Sequence, residues 1–197
     1  MPALAELEAA CKDCTRCPLS ATRTQVVFGR GDPDADLVFV GEAPGADEDA
    51  QGFPFVGRSG KLLDRLVLEE IGLDRDEFYV MNVVKCRPPG NRDPLPEEIE
   101  ACSEWFDAQL ASLRPKVIVT LGNFASKALL QTTVGITKLR GTTYEWRPGP
   151  SGRLSGESSI SLVPTFHPAA VLRGNTDAMA SMRADLVRAK RVLQGAP

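Results

Sequence analysis

The chain has 197 residues, 43% of them hydrophobic and 25% charged, a balance that suits one well-cored domain over residues 1–197 and excludes a disordered or fibrous chain. The net charge of −3 hides an asymmetry: residues 1–111 carry 11 basic and 22 acidic side chains, whereas residues 112–197 carry 12 and 4. A basic second portion suits a face turned to phosphates or, equally on charge alone, a solvated helix face from Arg183 to Arg191.

In chain order, MPALAELEAA lacks the basic start and apolar run of a secretory signal, and its spacing predicts a helix over 3–13. No stretch approaches the length of a membrane span, so a cytoplasmic protein is expected. DLVFVG (36–41) reads as a buried strand, followed by a helix starting at Gly60 in GKLLDRLVLEEIG. FYVMNVV (78–84) is a second strand, and LPEEIEACSEWFDAQLASL is a helix with Pro96 and acids in its first turn. KVIVTLG (116–122) and NFASKALLQ repeat the strand–helix pattern, RPGPSGRLSGESS (147–159) reads as an exposed loop, SISLVPTF (159–166) as a fourth strand, and 177–193 as a closing helix. Strands separated by helices in this rhythm imply an α/β fold with a largely parallel sheet covered on both faces.

In such sheets ligands bind beyond the carboxyl ends of the strands, and the unusual residues gather there. GEAPG (41–45) follows the first strand, Asn82 lies near the end of the second, and His167, the only histidine, follows the fourth. Pro44 and two glycines make a tight turn that can present N–H groups, although the spacing is neither a P-loop nor a dinucleotide fingerprint. An asparagine amide can read a base edge with one donor and one acceptor, and a histidine opposite it can donate to an oxygen gaining negative charge. Phe55, in GFPFVGRSG, offers a flat surface for stacking, while Phe53 reads as a packing residue.

Five cysteines, an odd number in a chain expected to be cytoplasmic, favour metal binding over disulfides. CKDCTRC places Cys11, Cys14 and Cys17 at equal steps of three, so two CxxC pairs compete; Cys86 and Cys102 follow. Four thiolates suit zinc or an iron–sulfur cluster equally well, and a shared group would staple the N-terminal segment to the loop after the second strand. A zinc-bound DNA-binding module without catalysis is one reading of these thiols.

The ordered blocks CTRCPL, VFGRGDPDADLVFVGEAPG, GFPFVGRSG, NVVKCRPPGNRDPLPEE, ITKLRGTTYEW and FHPAAVLR resemble the family four, iron–sulfur uracil-DNA glycosylases along almost the whole chain. The resemblance implies a three-layer α/β/α domain around a four-stranded parallel sheet, a [4Fe–4S] cluster, and a monomer that hydrolyses uracil from DNA. Free uracil and an abasic site would be the products, and the nucleoid the place of action. It implies Cys14, Cys17, Cys86 and Cys102 as cluster ligands and Cys11 as a spare thiol. Gly41, Glu42 and Ala43 fall against uracil and the attacked sugar carbon, with Glu42 stabilising the cationic sugar or orienting water. Phe55 stacks, Asn82 reads the uracil edge and His167 donates to uracil O2. Val171, Leu172 and Arg173 match the segment that enters the duplex, with Arg173 on DNA.

Two departures stand out. Ala43 occupies the place of a water-activating aspartate in the best-known uracil-DNA glycosylases, an absence shared by family four. Ala169 stands where many relatives have serine. A DNA-cross-linking relative uses a histidine in a basic insertion after the second strand; RPPGNRDP here has none.

Overall fold

Apolar strands that are buried almost end to end need cover on both faces, and the arrangement of the helices supplies it. The computed structural model describes residues 3–147, 159–174 and 176–195. In chain order they form α1 (Leu4–Lys12), β1 (Arg30–Gly31), β2 (Leu37–Gly41), α2 (Ala46–Gln51), α3 (Arg58–Glu70), β3 (Tyr79–Asn82) and α4 (Pro96–Leu113). There follow β4 (Val117–Leu121), α5 (Gly122–Leu130), α6 (Ile136–Leu139), β5 (Tyr144–Trp146), β6 (Ile160–Thr165), α7 (Pro168–Leu172) and α8 (Thr176–Leu193).

The sheet order is β1-β3-β2-β4-β6-β5. Its inner four strands are mutually parallel, as expected, and the edges are two short antiparallel strands. The alternation of side chains along each strand divides the core into two layers. Val38, Val40, Met81 and Ile118 pack toward Leu7 of α1, Phe106 and Leu110 of α4 and Ala125 of α5. Phe39, Val80, Val119 and Val163 pack on the other side against Leu63 and Leu66 of α3 and Met182 and Leu186 of α8.

The strand expected over 78–84 leaves the regular sheet after Asn82. Val83 and Val84 still donate to the carbonyls of Gly41 and Glu42, both at 3.0 Å, so the two site-bearing segments run on side by side. The helix expected from Gly60 starts at Arg58. Phe53 is 48% exposed, with the Arg30 guanidinium 5.4 Å from its ring centroid, so its assignment to packing is corrected. Arg183 of α8 is paired with Glu69 and Glu70 of α3, which removes one cation from the basic C-terminal portion. Residues 148–158 of the expected loop lie outside the described residues. No helix among the described residues is long and apolar enough to cross a membrane.

Candidate active site

Parallel register puts the last residue of β2 beside the last residue of β3: Gly41 is the Cα partner of Asn82. A Cβ at Gly41 would sit 2.4 Å from Asn82 Oδ1 and 2.8 Å from Phe55 Cζ, so only glycine lets the amide and the ring close over the strand end. Phe55 adopts φ 57°, a left-handed conformation that costs a non-glycine residue about 1 kcal/mol or more. Its carbonyl lies against Gly60, where a Cβ would approach to 1.6 Å, so the close start of α3 holds the turn. The Phe55 and His167 rings stand 5.7 Å apart with 32° between their planes.

These residues border a cavity of about 660 Å³ at the carboxyl edge of β2, β3 and β6. Glu42, Ala43, Phe55, Asn82, His167 and Arg173 all line it, and Gly41 lies beneath as the glycine that Asn82 and Phe55 overlie. Every residue singled out for the pocket from the sequence is thus brought together.

His167 is the N-cap of α7, and its Nδ1 accepts the backbone N–H of Ala169 at 3.1 Å. That bond fixes the tautomer: a nitrogen that accepts carries no proton, so the neutral ring holds its proton on Nε2. Burial first, then the nearby Arg173 charge, depress the imidazole pKa to about 4. Near pH 7 the ring is therefore a neutral donor.

Glu42 moves the opposite way. Burial raises its carboxyl pKa to about 7, helped by the charge of Asp93 and a side-chain hydrogen bond with it. Asp93 was not foreseen from the sequence. Its loop is set by Glu98, 1% exposed, which takes a bidentate ion pair from Arg92 at 2.9 and 2.6 Å and the Leu95 N–H at 2.8 Å. Arg92 in turn donates to the Asp93 carbonyl at 2.9 Å. Glu48 is a second unforeseen member. It accepts from the N–H groups of Gly45 at 3.1 Å, Val56 at 3.2 Å and Gly57 at 3.4 Å, tying the GEAPG turn to the Phe55 turn. An acid three residues after Gly45 was the readable signal, because that spacing lets a side chain reach back to the first N–H of a helix.

The thiols form a separate centre. Cys11, Cys14, Cys17, Cys86 and Cys102 border one small cavity between the turn after α1, the segment after β3 and α4. Three sulfurs receive N–H groups: Cys14 from Trp105 Nε1 at 3.2 Å, Cys86 from Arg23 at 3.3 Å and Cys102 from the Lys85 amide at 3.4 Å. Such donors stabilise ligating thiolates and tune iron–sulfur clusters. Burial pushes the free Cys86 thiol up to about 11 and Cys11 to about 12. Among the described residues no three metal-ligating side chains close on a single ion. Thiols gathered around one cavity are a donor set suited to holding a metal group.

The fold and site define an α/β protein with a cavity at its sheet's carboxyl edge, bordered by an aromatic ring, a buried amide and a neutral imidazole. The family model described as "Uracil DNA glycosylase superfamily" matches residues 28–190. The chain is 44% identical over 176 residues to the type-4 uracil-DNA glycosylase of Sulfurisphaera tokodaii, covering 87% of this chain and 77% of that protein. It is 46% identical over 167 residues to the type-4 enzyme of Thermotoga maritima, covering 84% and 81%. A type-5 uracil-DNA glycosylase of Thermus thermophilus is 34% identical over 164 residues, covering 76% and 70%. The chain belongs to the type-4 family of the uracil-DNA glycosylase superfamily.

Proposed function

We propose that this chain, a uracil-DNA glycosylase acting in DNA repair, turns uracil out of DNA into the cavity beside β2, β3 and β6 and hydrolyses its N-glycosidic bond, leaving an abasic site. The observation that carries the reading is the convergence of Phe55, Asn82 and a tautomer-fixed His167 on one cavity. Phe55 stacks on the extruded base. The Asn82 amide pairs with the imide N–H and a neighbouring carbonyl, the edge that separates uracil from cytosine. Extrusion adds selectivity, because a mispaired or single-stranded base is easier to unstack.

As the C–N bond breaks, its electron pair leaves with uracil and the sugar becomes cationic. Nε2–H of His167 donates to uracil O2, where the charge collects, so this bond strengthens in the transition state. Ionised Glu42 faces the sugar. The water oxygen bonds to the sugar carbon, its proton passes to Glu42 and then to solvent, and the uracil anion is protonated after release. Arg173 and Leu172, the latter 45% exposed at the end of α7, meet the duplex where uracil has left.

Cys14, Cys17, Cys86 and Cys102 hold a [4Fe–4S] cluster. The group joins the N-terminal segment to the loop that carries Asp93, a structural role. Supporting this choice, Cys11 packs beside Leu7 on the buried face of α1, whereas Cys14 and Cys17 lie in the turns that follow. Residues 1–197 work as one monomeric domain at the nucleoid.

The test is chromatographic detection of free uracil after incubation with uracil-containing DNA. Release from uracil strands but not thymine or cytosine strands is the expected result, and absence of release from single-stranded, U:G and U:A substrates alike would reject the function.

A further inference from the structure

Lys85 stands three residues after Asn82 and one before Cys86, and it is 1% exposed. Its Nζ donates to the main-chain carbonyl of Asn82 at 2.8 Å and to Gln109 Oε1 at 2.5 Å. Gln109, 0% exposed on α4, passes the restraint on through Nε2, which donates to the Phe28 carbonyl and the Tyr79 hydroxyl, both at 3.0 Å. The ammonium lies 5.4 Å from the Phe106 ring centroid and 5.8 Å from that of Phe28. Its main chain is fixed on both sides, with the carbonyl accepting from Val27 at 2.8 Å and the N–H reaching Cys102 Sγ at 3.4 Å.

A buried ammonium is expensive, and among the described residues no carboxylate is one of the groups that act on it; the ionisable neighbours there are the thiols of Cys102, Cys11 and Cys86. If the position only filled space, methionine or leucine would do so at lower cost. What lysine adds is a donor to the Asn82 carbonyl at the end of β3, where the regular strand stops and Asn82 has to be aimed.

We propose that Lys85 is a positioning residue for Asn82. It clamps the Asn82 carbonyl to Gln109, so that the end of β3 is anchored to α4 and the side-chain amide is held toward the cavity. The clamp also connects the base-reading residue to the segment bearing Cys86 and Cys102. This role rests on the assignment of Asn82 as the uracil-reading residue.

The test combines two readouts on folded, iron-loaded protein. Lys85→Met should weaken free-uracil affinity, measured by calorimetry, by roughly tenfold, the size of coupling expected for residues in one hydrogen-bond network. In an Asn82→Ala background the same substitution should change that affinity by less than about twofold, because the residue it positions is gone. NMR relaxation of the Asn82 side-chain amide should show greater mobility in Lys85→Met. Gln109→Met, which removes one end of the clamp, should give the same changes at smaller size and serves if Lys85→Met does not fold. Unchanged Asn82 mobility overturns the proposal, as do equal affinity losses in both backgrounds. If wild-type protein releases no uracil from DNA, the functional reading fails, while the mobility measurement still decides whether Lys85 holds Asn82.

Discussion

Replacing His167 by alanine separates two roles that one ring performs. The ring caps α7 through Nδ1 and, with its pKa near 4, offers Nε2–H in essentially every molecule at pH 7. Loss of the cap should cost about 1 kcal/mol of stability. Loss of a donor aimed at developing charge should lower the single-turnover excision rate ~10²-fold or more, about 3 kcal/mol of barrier. His167→Asn keeps an acceptor suited to the N-cap but is too short to replace Nε2, so it should recover stability without recovering the rate. The assays are rapid-quench cleavage at saturating enzyme, thermal melting, and fluorescence anisotropy with abasic DNA, whose affinity should change little. A chemical step for His167→Ala within about threefold of wild type, less than ~1 kcal/mol, would refute the role and leave leaving-group stabilisation to Asn82 and the GEAPG backbone.

Glu42 should impose an acid limb on the same single-turnover rate. Its carboxyl, raised to about 7, is protonated and ineffective below that pH and ionised above it, so the rate should rise through about pH 7 to a plateau. Asp93→Asn removes the like charge and should move the limb to lower pH; an unmoved limb would show that Glu42 does not govern it. Asn82→Ala should abolish uracil excision or its selectivity in a folded protein, and retention of both in excision assays against uracil, cytosine and thymine strands would reject base reading by this amide. Cys17→Ser should lose iron by elemental analysis while Cys11→Ser retains it, and the reverse pattern would assign Cys11 to the cluster.

The four parallel strands and the long helices were legible because each is a sustained apolar run or an amphipathic repeat. Strands β1 and β5, of two and three residues, are too short to carry a period, and α2 and α7 too short to carry a stripe. Gly41, Asn82 and His167 stood out because they fall at or just past strand ends, and Phe55 as an aromatic in the loop after the first strand; the family resemblance supplied their roles, and the register of β2 on β3 explains why Gly41 and Asn82 meet. Glu48, Arg92 and Asp93 escaped notice because charged residues in short helices and loops look solvated in sequence, whereas Glu98 is buried and organises its loop. Lys85 was invisible for a similar reason: its partner Gln109 is 24 residues away and belongs to another element. Phe53 shows the opposite failure, an aromatic residue taken for packing that stands exposed against Arg30.

The most direct measurement of the central claim is incubation of the purified protein with an oligonucleotide carrying one uracil, followed by hot alkali and denaturing electrophoresis. Excision leaves an abasic site, so the strand should break at the uracil position, with no break in a thymine control and little in uracil DNA treated with His167→Ala. An unbroken uracil strand under saturating wild-type protein, or a stable protein–DNA adduct in place of the break, would contradict the account.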